Sequence, residues 1–175
     1  DVTGVDLSVK NIKNASKYES ENLKFKIHDM RKPFGQKFDL VVNLFTSFGY
    51  FEDFKDNLKT LDSIKSSLKK NGLAVIDFLN IKYLKNNLIH KNTEEIDGIK
   101  FHLNRSIKNG FLIKKISFKH ELNEYNFEEK VRSLDLIDFK SMFKQSNIEI
   151  LHIFGDYKLT SFDENNSKRL IFILK

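Results

Sequence analysis

The sequence predicts an α/β fold, built on a mostly parallel β-sheet, with an inserted antiparallel β subdomain. Two short apolar runs, 39–43 and 73–80, are typical of strands that are buried on both faces. Between them, apolar residues spaced three or four apart predict an amphipathic helix over 52–70, which Asn71-Gly72 is expected to end. Strand and helix patterns alternate along the first 80 residues, which indicates parallel strands joined by helices.

Composition limits the classes of protein that the chain can represent. It has 175 residues, of which 40% are hydrophobic and 31% charged, enough for one domain with a proper core. Cysteine is absent, which excludes disulfides, cysteine-ligated zinc and a thiolate nucleophile. No apolar run reaches the ~18 residues of a membrane span, and no secretory signal is recognised. We therefore expect a cytoplasmic protein with no membrane partner.

The net charge of +6 raises the question of nucleic-acid binding. The lysines are spread through every segment, mostly on the polar faces of predicted helices, and the densest pairs, 69–70 and 114–115, are short. A phosphate-binding face needs clustered charge. A solvated surface is the better interpretation, so we expect no nucleic-acid partner.

The N-terminal segment is predicted to add two strands and a helix. Residues 2–6 resemble the end of a strand, and Ser8 is placed to cap a helix that runs to about residue 20. Residues 23–29 alternate with a period of two, which predicts an edge strand. Ligands of open α/β sheets bind outside the carboxyl ends of the strands, so Asp6 is placed to accept hydrogen bonds from two ribose hydroxyls. A plain turn aspartate is the alternative.

The pattern changes after residue 80. The dipeptide Asn109-Gly110 is a strong signal for a two-residue hairpin. We divide the chain into a core of 1–80 and 134–175 and an inserted subdomain of 81–133. The elements predicted here are a helix over 81–89, antiparallel strands over 93–132, a helix over 135–145 and closing strands over 148–154 and 170–174.

Four segments occur in a fixed order: Val-Thr-Gly-Val-Asp-Leu-Ser, His-Asp-Met, Phe-Asp-Leu-Val-Val-Asn-Leu-Phe and Leu-Lys-Lys-Asn-Gly-Leu-Ala-Val-Ile-Asp-Phe. Together they resemble the class I S-adenosylmethionine-dependent methyltransferases over about residues 2–80. The resemblance implies a Rossmann-like sheet with an antiparallel last strand and S-adenosylmethionine as cofactor, with S-adenosylhomocysteine as product. It also implies methyl transfer to a small-molecule acceptor.

The resemblance further implies a set of cofactor-binding residues. They are Asp6 for the ribose, Leu7, Asp29 and Met30 around the adenine, and Asn43, Leu44 and Phe45 beside the methionine moiety. The family's Gly-x-Gly-x-Gly loop, expected some ~20 residues before Asp6, has no counterpart here. We therefore expect the first strand and helix to be missing from this chain, either by truncation of a longer product or because a partner chain fills the gap. A chain that lacks a central strand is expected to be unstable or oligomeric, with a homo-oligomer as one form.

The predicted acceptor site lies at the same edge of the sheet. Its candidate substrate residues at the strand ends are Phe48, Tyr50 and Asn80. The inserted sheet resembles a substrate lid, and it adds the candidates Arg105, His102 and His120. Core packing is the alternative for Phe48, and a solvent-facing position is the alternative for the residues of the lid. We predict no general base and no metal site, because in-line displacement at a sulfonium methyl mainly requires the two reactants to be held together.

Three functions remain open at this point. The first is a small-molecule methyltransferase, the second a catalytically silent methyltransferase-like module that binds a partner, and the third a nicotinamide-dinucleotide-binding Rossmann domain. The predicted lid and antiparallel last strand disfavour the third. The loop that follows 39–43 lacks the Asn/Asp-Pro-Pro-Tyr of enzymes that methylate base amino groups. Without cysteine, the covalent route to cytosine carbon-5 is also excluded.

Overall fold

The computed structural model describes residues 1–175. A 3-10 turn, Ser16–Tyr18, extends the first helix. In chain order the helices and strands are β1 (Val2–Asp6), α1 (Val9–Ala15), β2 (Leu23–Ile27), β3 (Phe38–Asn43), α2 (Phe54–Ser66), β4 (Leu68–Leu79), α3 (Ile81–Asn87), β5 (Lys91–Ile96), β6 (Ile99–Lys108), β7 (Phe111–His120), β8 (Asn123–Arg132), α4 (Leu136–Gln145), β9 (Ile150–Phe154) and β10 (Arg169–Leu174).

The core strands form two separate sheets, where the sequence predicted one. Strands β1 and β2 pair in parallel as a two-stranded sheet, and a second sheet has the order β3-β4-β10-β9. Strand β3 is parallel to β4, whereas β10 is antiparallel to both of its neighbours, β4 and β9. The predicted mixed sheet with an antiparallel last strand is therefore confirmed. In this chain β1 and β3 each have one edge without a strand partner.

The prediction that β3 is buried on both faces is wrong. Leu40 and Val42 are 53% and 50% exposed, whereas Val41, which points to the opposite face, packs against the core. Strand β3 is an outer strand of its sheet, and the face that carries Leu40 and Val42 has no covering element. An exposed apolar face of this kind is unusual on a strand whose composition suits a buried one.

The boundary between α2 and β4 also differs from the prediction. The helix ends at Ser66 and the strand begins at Leu68, so Asn71-Gly72 lies inside β4 and does not end the helix. The pairing of β3 with β4 shifts register at this point. A Cβ atom at Gly72 would lie 2.8 Å from the carbonyl oxygen of Phe38, so glycine is required here by the close approach of two backbones.

One hydrophobic core joins α2, α4 and the four-stranded sheet, and the two helices are in contact. Apolar residues of α2 face inward with helical spacing, as the sequence predicted, and Asp53 caps its N-terminus. The fully buried large side chains include Phe48, Leu61, Ile76, Phe78, Phe139, Met142, Phe143, Leu170, Phe172 and Leu174.

The inserted strands form an antiparallel sheet with the order β5-β6-β7-β8. The predicted hairpin at Asn109-Gly110 is confirmed, because both residues have positive φ (51° and 76°), as a type I′ turn requires. Asp97-Gly98 makes a second such turn between β5 and β6. None of the helices combines the length and the apolar character needed to cross a membrane.

Candidate active site

Polar side chains at the carboxyl ends of β1, β2 and β3 lie along one edge of the fold. The backbone N–H of His28 donates a hydrogen bond to the Asp6 carbonyl at 3.0 Å, which joins the end of β1 to the turn after β2. In the same turn, Met30 places its sulfur 3.9 Å from Nδ2 of Asn43 at the end of β3. These contacts bring Asp6, Met30 and Asn43 to the same edge, as expected for parallel strands.

Asp6 has an exposed carboxylate that also orients the start of α1. Its Oδ1 accepts a hydrogen bond from Ser8 N at 2.7 Å and its Oδ2 accepts one from Asn11 Nδ2 at 3.2 Å. A carboxylate has about four acceptor positions, so each oxygen retains one that solvent or a ligand can fill. The neighbouring Leu7 is 65% exposed.

Asp29 is held by Arg31. Its Oδ1 accepts hydrogen bonds from Arg31 N and Nε, both at 3.0 Å, and its Oδ2 accepts from Nε and Nη2 at 3.2 and 2.7 Å. Both oxygens are therefore occupied within the protein. The predicted role of Asp29 as an acceptor for the adenine amino group has no free acceptor position in this arrangement.

Arg31 connects this turn to α2. Its Nη1 donates to Asp56 Oδ2 at 2.8 Å, and its guanidinium lies 5.0 Å from the ring centre of Phe51. Asp56 also pairs with Lys59 at 2.7 Å. The turn that carries Asp29 and Met30 is thus fixed against the helix and against the loop that follows β3.

Asp29 predicts an acid-dependent loss of stability. The hydrogen bond from the Arg31 side chain is the main cause that lowers its pKa from 3.8 to about 2. A carboxylate with a depressed folded-state pKa stabilises the fold above its unfolded pKa, and this stabilisation is lost as the pH falls from about 4 through about 2. Because the Arg31 side chain is 34% exposed, we expect a contribution of only about 1–2 kcal/mol.

The measurement is urea unfolding of the wild type and of Asp29→Asn at pH 5 and at pH 2.5. The wild type should be more stable than the variant at pH 5, and most of that difference should disappear at pH 2.5. Asp62→Asn, which removes an exposed carboxylate from α2, serves as the control and should be near neutral at pH 5. A difference between wild type and Asp29→Asn that is the same at both pH values would contradict the role of the Arg31 pair.

Two asparagines have buried side-chain atoms without a hydrogen-bond partner. Asn43 Oδ1 is buried without a hydrogen-bond partner, as are both polar atoms of the Asn57 side chain on α2. Buried polar atoms are nearly always hydrogen-bonded, so each of these calls for a partner. Asn43 was predicted from the sequence, whereas Asn57 was not, because an asparagine on an amphipathic helix gives no signal of burial.

The loop after β3 has an unusual backbone. Phe45 and Thr46 have φ values of 55° and 64°, in the left-handed region, although neither is glycine. The Phe45 N–H donates to the Asp77 carboxylate at 2.8 Å, and the Thr46 N–H donates to the Asp77 carbonyl at 3.1 Å. Phe45 is 76% exposed, and Leu44 is half-buried.

Strand β8 of the inserted sheet is attached to the end of the same loop. Arg132 N donates to Gly49 O at 2.8 Å, and the Arg132 side chain donates to the carbonyls of Phe51 and Glu52. Tyr50 lies between these contacts and is 49% exposed. Partial burial, and then the negative charge of Glu129 on β8, raises the pKa of the Tyr50 phenol.

Two predicted substrate residues are structural, which corrects those predictions. Phe48 is fully buried, with its ring centre 5.6 Å from that of Phe139, so it belongs to the core. Asn80 is 3% exposed and caps α3 with its side-chain oxygen. Its Nδ2 donates to the carbonyls of Glu164 and Ser167, both at 2.8 Å, so it holds the connection before β10.

The three residues predicted from the lid do not share one face. Arg105 pairs across the sheet with Lys114, which is six residues from His120, so Arg105 and His120 lie on the same face. His102 is three residues from Arg105 and therefore points to the other face, where its Nδ1 lies 3.0 Å from Thr93 Oγ1. The prediction that all three side chains face one pocket is wrong, because strand residues alternate between faces.

A family model described as a methyltransferase domain matches residues 1–130. The chain belongs to this family. The match confirms the resemblance to class I S-adenosylmethionine-dependent methyltransferases, and it argues against the nicotinamide-dinucleotide alternative. A search of curated proteins found no match.

Solved structures of methyltransferases share the fold of this methyltransferase domain. An S-adenosylmethionine-dependent methyltransferase from Clostridium acetobutylicum aligns with a TM-score of 0.85 and 18% identity over 99% of this chain and 74% of that one. The CcbJ methyltransferase from Streptomyces caelestis aligns with a TM-score of 0.81 and 14% identity over 99% of this chain and 73% of that one. CalS10, an amino pentose methyltransferase from Micromonospora echinaspora, aligns with a TM-score of 0.70 and 12% identity over 98% of this chain and 72% of that one. At these identities the likeness establishes the fold.

The residues of the methyltransferase domain fit S-adenosylmethionine in part. Asp6 retains one acceptor position on each carboxylate oxygen, which suits two ribose hydroxyls. Asn43 Oδ1 is an acceptor without a donor in the chain. Asp29 does not fit its predicted part, because Arg31 occupies both of its oxygens.

The sequence analysis did not predict the contacts among Asp77, Tyr157 and Arg169 beside the loop that follows β3. A charged residue inside an apolar strand is itself a signal, because a fully buried carboxylate requires a partner. The partner was not predictable, since Arg169 lies 92 residues further along the chain.

Proposed function

We propose that this chain forms the greater part of an S-adenosylmethionine-dependent methyltransferase that acts on a small-molecule acceptor by in-line methyl transfer. The observation that carries the proposal is the arrangement of Asp6, Met30 and Asn43 along one edge in a chain of the methyltransferase family. A small acceptor is supported by the solved structures with this fold, which include an amino pentose methyltransferase and a sugar N-methyltransferase.

The chemistry asked of the protein is mainly positioning. S-adenosylmethionine, when bound, supplies a methyl group that is already activated by a sulfonium charge. The chain then has to hold the acceptor in line with it, and this proximity contributes much of the rate. Phe45 and Tyr50 present exposed rings on the loop after β3, and the faces of such rings favour a nearby cation. Met30 and Leu7 supply apolar surface for the adenine.

We further infer that one parallel strand completes the sheet between β1 and β3. Both strands have a free edge. Apolar side chains beside these edges are strongly exposed: Val2 and Val5 on β1 at 61% and 45%, and Leu40 and Val42 on β3 at 53% and 50%. Burial of such surface contributes roughly 25 cal/mol per Å². The strand is supplied either by residues ahead of Asp1 or by a partner chain, and the family resemblance implies that a glycine-rich turn follows it.

The test is calorimetric titration of S-adenosylhomocysteine into this chain and into a version extended by the upstream coding sequence. We expect the extended protein to bind and this chain to bind more weakly. In the extended protein, Asp6→Asn should weaken binding by about tenfold or more, because hydrogen bonds to a charged group contribute about 1.5–3 kcal/mol.

Asp39→Asn is the matched control. Asp39 lies near the amino end of β3, away from the proposed site, and pairs with Lys69 at 2.8 Å. This control should leave the affinity unchanged, and both variants should melt within a few degrees of the wild type. Absence of heat with both forms of the protein would reject the proposal. Equal weakening of binding by Asp6→Asn and Asp39→Asn would also reject it.

A further inference from the structure

A buried charge cluster lies beneath the loop that follows β3. Asp77, on β4, is completely buried. Its Oδ1 accepts a hydrogen bond from Arg169 Nε at 2.8 Å and forms an ion pair with Nη2 at 2.6 Å. Its Oδ2 accepts from Phe45 N at 2.8 Å and from the Tyr157 hydroxyl at 2.9 Å. Three hydrogen bonds and one ion pair therefore hold this carboxylate on both of its oxygens.

The cluster holds a strained turn. Left-handed conformations of residues other than glycine are strained, and they persist only where the surroundings impose them. Phe45 and Thr46 adopt this conformation in succession. The Asp77 carboxylate accepts the Phe45 N–H, and the Asp77 backbone carbonyl accepts the Thr46 N–H. Arg169 Nη2 donates to Thr46 Oγ1 at 3.0 Å. The same two charged side chains thus form the ion pair and fix the turn.

The cluster also reaches the surface. Tyr157 lies in the connection between β9 and β10 and is 61% exposed, and Phe45 is 76% exposed. Their ring centres are 6.4 Å apart at an interplanar angle of 64°. The Asp77–Arg169 pair alone would satisfy its own charges. The additional hydrogen bond from the exposed Tyr157 to the buried carboxylate therefore indicates that the cluster has a second role, which is to fix the position of the turn.

We propose that Asp77, Arg169 and Tyr157 are positioning residues that hold the Phe45–Thr46 turn in the shape required at the methionine and acceptor side of the site. The role of the turn at that site rests on the proposed function, whereas its dependence on the three side chains does not. Neither the family match nor the sequence patterns assign a role to any of the three.

Amide exchange tests the first half of the proposal without any ligand. In ¹⁵N-labelled protein, the Phe45 N–H should be shifted downfield and protected, because it donates to a buried carboxylate. Tyr157→Phe removes one hydroxyl from Asp77 and leaves the ring. We expect it to move the Phe45 and Thr46 amide signals and to speed their exchange about tenfold, with the melting temperature within a few degrees of the wild type.

Tyr83→Phe is the matched control. Tyr83 lies on α3, and its hydroxyl makes no hydrogen bond within the chain. This substitution should leave the Phe45 and Thr46 signals in place. Arg169→Lys offers a second route, since lysine retains the charge but cannot bond both Asp77 and Thr46 with the geometry of a guanidinium. Unchanged signals and exchange in both Tyr157→Phe and Arg169→Lys would overturn the proposal.

Affinity tests the second half. In the N-terminally extended protein, Tyr157→Phe should weaken S-adenosylhomocysteine about 3–10-fold, whereas Tyr83→Phe should not. Loss of amide protection with unchanged affinity would overturn the positioning role in binding. An extended wild-type protein that binds no S-adenosylhomocysteine would instead reject the proposed function, and amide exchange would then decide alone whether the three side chains hold the turn.

Discussion

Replacing Phe139 by alanine is expected to lower the free energy of unfolding by about 3–5 kcal/mol. Phe139 is completely buried on α4. Its ring centre lies 5.0 Å from Phe172, 5.2 Å from Phe78, 5.6 Å from Phe48 and 5.7 Å from Phe143. Truncation would leave a cavity among four aromatic rings that cannot collapse without moving the sheet or the helix, so the loss should approach the upper end of the range.

Equilibrium unfolding in urea measures this loss. Phe127→Ala is the matched control, because it removes the same side chain from a position on β8 that is 55% exposed. The control should cost less than about 1 kcal/mol. Similar losses for the two variants would mean that the ring cluster around α4 is not the centre of the core.

Local patterns predicted most of the elements because those elements depend on nearby residues. The apolar spacing of α2 and the Asn109-Gly110 turn have causes within a few residues, and both are present. The end of α2 was misplaced because Asn71-Gly72 has the composition of a helix terminator. Glycine is required at position 72 because the backbone of Phe38 approaches it closely, and this contact forms only when β3 and β4 pair.

The site was predicted less completely because its geometry depends on contacts between distant segments. The positions of Asp6, Met30 and Asn43 follow from strand order, which the sequence indicates. Arg31 is only two residues from Asp29, so their contact is local. The same residues in sequence are equally compatible with an Asp29 that is free to bind a ligand, so the sequence does not distinguish the two roles. The Asp77–Arg169 pair requires the antiparallel register of β10 on β4, in which Arg169 lies opposite Leu79. No local pattern encodes that register.

Asp77→Asn is expected to destabilise the chain by about 3 kcal/mol. Removing one member of a buried ion pair leaves its partner without compensation, at a cost of about 3–5 kcal/mol. The Arg169 side chain is 18% exposed, so water can solvate part of its charge, and the lower end of the range applies. Urea unfolding at neutral pH gives the loss, and Asp39→Asn, which removes an exposed carboxylate, should be nearly neutral.

The double variant Asp77→Leu with Arg169→Met separates stability from positioning. Apolar replacement of a complete buried ion pair is often neutral or stabilising. Here it also removes the acceptor for the Phe45 N–H, whereas the backbone carbonyl that accepts the Thr46 N–H remains. We therefore expect the double variant to be more stable than Asp77→Asn and yet to lose protection at Phe45. A double variant that kept this protection would show that the backbone of the turn holds its own shape. A double variant less stable than Asp77→Asn would show that the pair contributes net stability. If stability recovers in the double variant but the turn does not, the ion pair serves to position the turn. A pair that only stabilised the fold would not also need to hold two residues in a strained conformation.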